Sequence, residues 1–144
     1  MILCIDPGSK YVGYAIVKHD LIIAKGSLLV LQHNIFQELD RISADYPEIH
    51  TVLIEKGATK LRDYEISILA KLQEHNYRNY IYLAKDVRKK LKLERHPNSL
   101  GIQAKKELIH KNFPDLVMQD TSIHELDCLL LYLFYKKYTL FSAS

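Results

Sequence analysis

A chain of 144 residues, 48% of them hydrophobic, can bury one full core but not two ordinary domains, so residues 1–144 are read as a single domain. No stretch approaches the roughly 18 uninterrupted apolar residues of a membrane span, which argues against a membrane partner. The two cysteines, Cys4 and Cys128, share no C-x-x-C spacing and no secretory leader precedes them, which predicts core thiols in a reduced, cytoplasmic protein rather than a disulfide scaffold.

Ile2 to Asp6 reads as a short buried strand, Pro7-Gly8-Ser9-Lys10 as a turn, and Tyr11 to Lys18 as a second strand. His19-Asp20 then reverses the chain into Leu21 to Gln32, with an interruption expected near Gly26. Connections this short make the three strands an antiparallel meander. Asn34 is placed to cap a helix running to about Tyr46, with Ile35, Leu39 and Ile42 on one stripe, and Pro47 closes it. Thr51 to Glu55 is a second short, β-branched strand that ends, like the first, in a carboxylate. Asp63 to Gln73 has helical spacing and Asn79 to Leu83 reads as the fifth strand. Beyond it, His96-Pro97-Asn98 divides a basic segment into helices over Asp86 to Arg95 and Leu100 to Asn112. Ser122-Ile123-His124-Glu125 has the S-x-x-E form of a capping box and starts a last helix that runs to about Tyr138.

A meander followed by strand-helix alternation predicts an α/β fold with a five-stranded mixed sheet: a three-strand antiparallel meander plus two parallel strands, with helices on both faces. Strand four is expected to lie parallel to strand one, because a parallel crossover needs the intervening helix. Asp6 and Glu55 would then end adjacent strands.

A carboxylate at the tip of a buried strand is costly unless it is paired, metal-bound or at the open end of a sheet. Strands about 4.8 Å apart would hold two such groups across a gap that fits a hard divalent cation. The last helix adds His124 and Asp127 at i and i+3, on one face of its first turns, with Leu131 continuing the stripe toward the sheet. Charge is also uneven: residues 85–111 carry nine Lys or Arg against three acids, a local +6, while the rest of this +3 chain is −3. A basic segment beside an acidic body points toward a polyanion.

The residues Ile5-Asp6-Pro7-Gly8-Ser9-Lys10 with Gly13-Tyr14-Ala15 resemble the opening of RuvC-type Holliday junction resolvases. Leu53-Ile54-Glu55, the basic pair Lys85-Asp86-Val87-Arg88-Lys89-Lys90 and Ala104-Lys105-Lys106-Glu107-Leu108, and His124-Glu125-Leu126-Asp127-Cys128-Leu129 follow in that family's order. The resemblance implies a ribonuclease H-like fold and a metal-dependent endonuclease acting on four-way or otherwise branched DNA as a homodimer. It implies Asp6, Glu55, His124 and Asp127 as catalytic and metal-binding residues, with Asp6 bridging two Mg²⁺ ions, and Lys85, Arg88, Lys89, Lys90, Lys105 and Lys106 on the DNA. His124 stands where the family has an acid more often, either as a fourth ligand or as a base, and an imidazole there implies tolerance of Mn²⁺. Lys56-Gly57-Ala58-Thr59-Lys60 lacks the family's junction-contacting aromatic, a part for which Tyr64 is the substitute, and the helix from Asp63 is the candidate dimer face. Two rivals stay open: a YqgF-like RNA-processing nuclease and a catalytically silent nucleic-acid-binding module of the same fold. An actin-like kinase is excluded, because that architecture needs two such domains.

Overall fold

The computed structural model describes residues 1–57, 62–93 and 99–140. Its sheet follows from the alternation of the first strand. In β1 (Ile2–Pro7), Leu3 and Ile5 enter one apolar cluster while Ile2 and Cys4 enter another on the opposite face. β1 pairs antiparallel with β2 (Tyr11–Lys18), and β2 with β3 (Leu21–Leu29). His19 and Asp20 form the tight link with φ of 51° and 65°, the left-handed values that a two-residue hairpin turn demands. On its other side β1 pairs parallel with β4 (Thr51–Lys56), which pairs parallel with β5 (Arg78–Leu83), giving the order β3-β2-β1-β4-β5. The expected mixed sheet is the one observed.

Helices cover both faces. α1 (Ile35–Asp45) and α2 (Asp63–Gln73) close the Leu3 face with Ile35, Leu39, Ile42, Ile68 and Leu72. Asn34 caps α1 by accepting from the Gln37 amide at 3.2 Å. The Cys4 face is covered by α5 (Ile123–Phe134), flanked by α3 (Ala84–Lys90) and α4 (Ser99–Asn112). α5 is apolar on nearly every side and lies against β1 and β2; both cysteines are free and fully buried at this contact, Cys4 on β1 and Cys128 on α5. No helix among the described residues is long and apolar enough to cross a membrane.

Three expectations are corrected. β3 is not interrupted at Gly26, which lies opposite Tyr14 in register; a Cβ there would fall 2.6 Å from the Tyr14 ring, so the glycine makes room for the ring rather than a break. α3 starts at Ala84, directly from β5, and ends at Lys90 instead of near Arg95, because Lys92 turns left-handed at φ 60°. α5 passes into a π-helical turn at Tyr135–Leu140, and a short 3₁₀ turn, Met118–Asp120, precedes it. The segments Ala58-Thr59-Lys60 and Glu94 to Asn98 lie outside the described residues.

Candidate functional site

Period-two alternation sends Asp6 to the same side as Cys4, toward α5. Glu55 follows Leu53, a member of that same cluster, so it points the same way. Ile5 pairs with Ile54 in parallel register, and Asp6 and Glu55 are the next residues along each strand. Helix α5 supplies the third acid. Its start is fixed by the expected capping box, in which Ser122 Oγ accepts from the Glu125 amide at 3.1 Å and Glu125 Oε1 from the Ser122 amide at 3.2 Å. Lys25 on β3 holds that end through Glu125 (3.1 Å) and the Asp120 carbonyl (2.8 Å), so the helix enters the site from a pinned position.

Asp6, Glu55 and Asp127 thereby place one ligand oxygen each within 4.8 Å of one another. His124 lies beside them, with Nδ1 3.5 Å from Asp6 Oδ2. Lys105 of α4 reaches across to Asp127, Nζ to Oδ1 at 2.5 Å. Burial and the neighbouring Asp127 push the Asp6 carboxyl up to about 6, although His124 and Lys105 pull the other way. Burial, then Asp6 and Asp127, push Glu55 up to about 8 against the opposing fields of Lys105 and Arg88. The set is therefore short of positive charge at neutral pH, and three carboxylates are the donors a hard divalent cation takes. Three carboxylate oxygens within 4.8 Å of one another can converge on one such ion, so the residues fit it.

The basic residues divide. Lys105 stands at the acids and Arg88 is close enough to act on Glu55, whereas Lys85, Lys89 and Lys90 project from α3 into solvent and Lys106 is half-buried on α4. Tyr64 is half-buried against the α1–α2 cluster and its hydroxyl is enclosed without a hydrogen-bond partner. Three contributors were not singled out from the sequence as parts of the site. A Cβ on Gly13 would fall 2.7–2.8 Å from the backbone and Cβ of His124, so this glycine lets α5 approach the sheet. A glycine inside a strand was the available signal. Arg62 donates to the Pro7 carbonyl at 3.1 Å and to Glu65 at 3.0 Å, tying α2 to the end of β1. Tyr11 stacks on the His124 ring. Nothing local in the sequence announces either contact.

A mixed sheet in this order, with helices on both faces, is the ribonuclease H-like fold, shared with solved RuvC structures. No protein-family model matches the chain, and no curated protein sequence matches it. Among solved structures it is similar to Thermus thermophilus RuvC in complex with Holliday junction substrate, with 16% identity, 98% of this chain and 95% of that one covered, and a TM-score of 0.66. A second Thermus thermophilus RuvC structure has 16% identity, 94% of each chain covered and a TM-score of 0.60. Fowlpox virus resolvase, solved with substrate Holliday junction DNA, has 18% identity, covers 94% of this chain and 97% of its own, and gives a TM-score of 0.64.

Proposed function

We propose that residues 1–144 form one structure-selective DNA endonuclease domain that resolves four-way junctions by divalent-metal-dependent phosphodiester hydrolysis. The observation that carries this reading is the convergence of Asp6, Glu55 and Asp127 at one edge of the sheet, in a fold shared with two resolvases solved with junction DNA. Asp6, Glu55 and Asp127 would together hold the Mg²⁺, each offering a carboxylate oxygen. When bound, such ions neutralise charge on the scissile phosphate and supply an activated water at neutral pH.

The chain's own residues account for the rest. His124, beside Asp6, is placed either to complete the ligand set, which favours tolerance of Mn²⁺, or to accept a proton at its imidazole. Lys105 holds Asp127 in orientation and adds positive charge where a phosphate would approach. Lys85, Lys89 and Lys90, with Arg88 and Lys106, form the surface for backbone phosphates, which gives salt-sensitive affinity with little sequence reading. Paired cuts on a two-fold junction are met most simply by a two-fold homodimer, and α2 offers a face for it, where Ile66 is 50% exposed. Tyr64 would contact the junction only if its enclosed hydroxyl is released from the α1–α2 side.

One observation favours the silent-module alternative: an ammonium already sits on Asp127. The deciding experiment incubates the protein with labelled four-way junction, linear duplex and structured RNA, each with Mg²⁺ and with a chelator. Paired nicks in the junction, dependent on Mg²⁺, are expected. Preferential cutting of RNA would favour the RNA-processing reading, and no cutting together with no heat of divalent-ion binding would favour the silent module.

A further inference from the structure

We propose that Tyr11 is a positioning residue for His124, an inference that rests on reading His124 as part of the nuclease site. The phenol ring stacks on the imidazole with centroids 5.2 Å and planes 30° apart, and Lys10 Nζ lies over the Tyr11 ring, 5.7 Å from its centroid. His124 needs such a restraint. Its side chain is 36% exposed, and its 3.5 Å approach to Asp6 is longer than the 2.7–3.2 Å of a well-formed N–H···O bond, so neither burial nor that contact alone fixes the ring.

β2 is built to provide the restraint. The Gly8 amide donates to the Tyr11 carbonyl at 2.9 Å, closing the turn that starts the strand. A Cβ on Gly8 would fall 2.4 Å from that same oxygen, so the turn that delivers Tyr11 requires glycine. Two residues on and on the same face, Gly13 receives the backbone of His124. Tyr11 and Gly13 therefore act as one cradle, the glycine taking the main chain and the tyrosine the ring. Aromatic stacking is directional, so an aliphatic side chain of similar bulk would fill the space without setting the imidazole plane.

The test uses Tyr11→Leu, which keeps apolar bulk, and Tyr11→Phe, which keeps the ring. In metal-free protein, NMR of the imidazole should give one ordered set of His124 resonances in the natural chain and in Tyr11→Phe, with broadened or averaged signals in Tyr11→Leu. In junction nicking, Tyr11→Leu should lower kcat about tenfold with KM unchanged, because misplacing a reacting group costs rate while the DNA-binding surface is intact. Tyr11→Phe should restore the rate to within about twofold on the same argument. In a His124→Ala background, Tyr11→Leu should cost nothing further. Unchanged imidazole signals in Tyr11→Leu, an effect on KM alone, or a full additional loss in the His124→Ala background would overturn the proposal. If the natural chain fails to nick junctions, the nuclease reading falls, and the metal-free spectra still decide whether Tyr11 orders His124.

Discussion

Asp6, Glu55 and Asp127 at the sheet edge, and Asp40, Glu74 and His75 beside the α1–α2 contact, each bring their ligand atoms within 4.8 Å of one another. Their electrostatics are opposite. Lys71 lies 2.9 Å from Asp40 and 3.2 Å from Glu74, and His75 Nε2 lies 3.1 Å from Asp40. Hydrogen bonds from Lys71 and then His75 hold the Asp40 carboxyl below its ordinary range, where burial drives Asp6 and Glu55 above theirs. The difference teaches that spacing alone does not make a cation site. At the surface Lys71 bridges Asp40 and Glu74, whereas the three carboxylates half-covered by a sheet and a helix have Lys105 on Asp127 and burial acting against their charge.

Removing charge at the sheet edge should have the largest effect. Asp6→Asn and Glu55→Gln are expected to lower junction nicking by roughly 10³-fold or more, as losses in a catalytic centre do. Junction affinity measured with Ca²⁺ or chelator present should stay within about threefold, because the basic surface is untouched. Asp40→Asn should leave nicking unchanged; appreciable cutting by the first two variants, or its loss in the third, would reverse the assignment of the two clusters.

Next in size is the approach of α5 to the sheet. Gly13→Ala places a methyl 2.7–2.8 Å from His124 main-chain and Cβ atoms, and the sheet and helix must separate to admit it. Overpacking of this kind costs about 1–3 kcal/mol, readable by denaturant unfolding, and the displacement of His124 and Asp127 should lower nicking by a further factor of roughly ten. An equally stable and active Gly13→Ala would mean that the helix does not rely on this notch.

How far the sequence foretold these contacts depends on their range. Asp6 and Glu55 were legible because strand-end position and the rule that a parallel partner needs a crossover helix put them side by side. Asp127 and His124 were legible through the capping box, which sets the phase of α5 and hence the face they share. Lys105 on Asp127 and Tyr11 on His124 join residues far apart in the chain and depend on how α4 and β2 meet α5, which no local pattern encodes. The expected break at Gly26 failed for a related reason. A glycine was read as a disruption of its own strand, when its partner's ring was what it served.

A smaller effect is expected where the sheet-edge cluster carries its own cation. Lys105→Ala releases Asp127 from an ammonium at 2.5 Å and removes one positive field from Asp6 and Glu55. In the absence of DNA, divalent-ion affinity by calorimetry should rise about tenfold, because the cation that competes for this carboxylate is gone, while nicking falls. Lys106→Ala, by contrast, should lower the log-log salt slope of junction binding by about one and leave ion affinity alone. An equal change in salt slope for both lysines would place them in one role.

The smallest effects separate the clusters by the sign of their pH dependence. Asp6 and Glu55 titrate in the folded chain at about 6 and about 8, above their ordinary values of 3.8 and 4.5, so the unfolded chain gives up these protons first. Metal-free stability should therefore be greatest below about pH 4 as far as these groups are concerned, and should be lost as pH rises through 6 and 8. Mg²⁺ binds the ionised folded form, so at concentrations well above its Kd it should raise Tm by about 5 °C at pH 8 and by much less at pH 5. Asp40 runs the other way. Its carboxyl is held below the ordinary value, so its contribution is present above that value and is lost as pH falls through the lowered one. Asp40→Asn should then lower Tm at pH 7 by only about a degree or two, as an exposed pair does, with a loss that shrinks as pH falls through the lowered value and no change in the response to Mg²⁺. A Mg²⁺-dependent rise in Tm that disappears in Asp40→Asn but survives in Asp6→Asn would move the cation to the other side of the sheet.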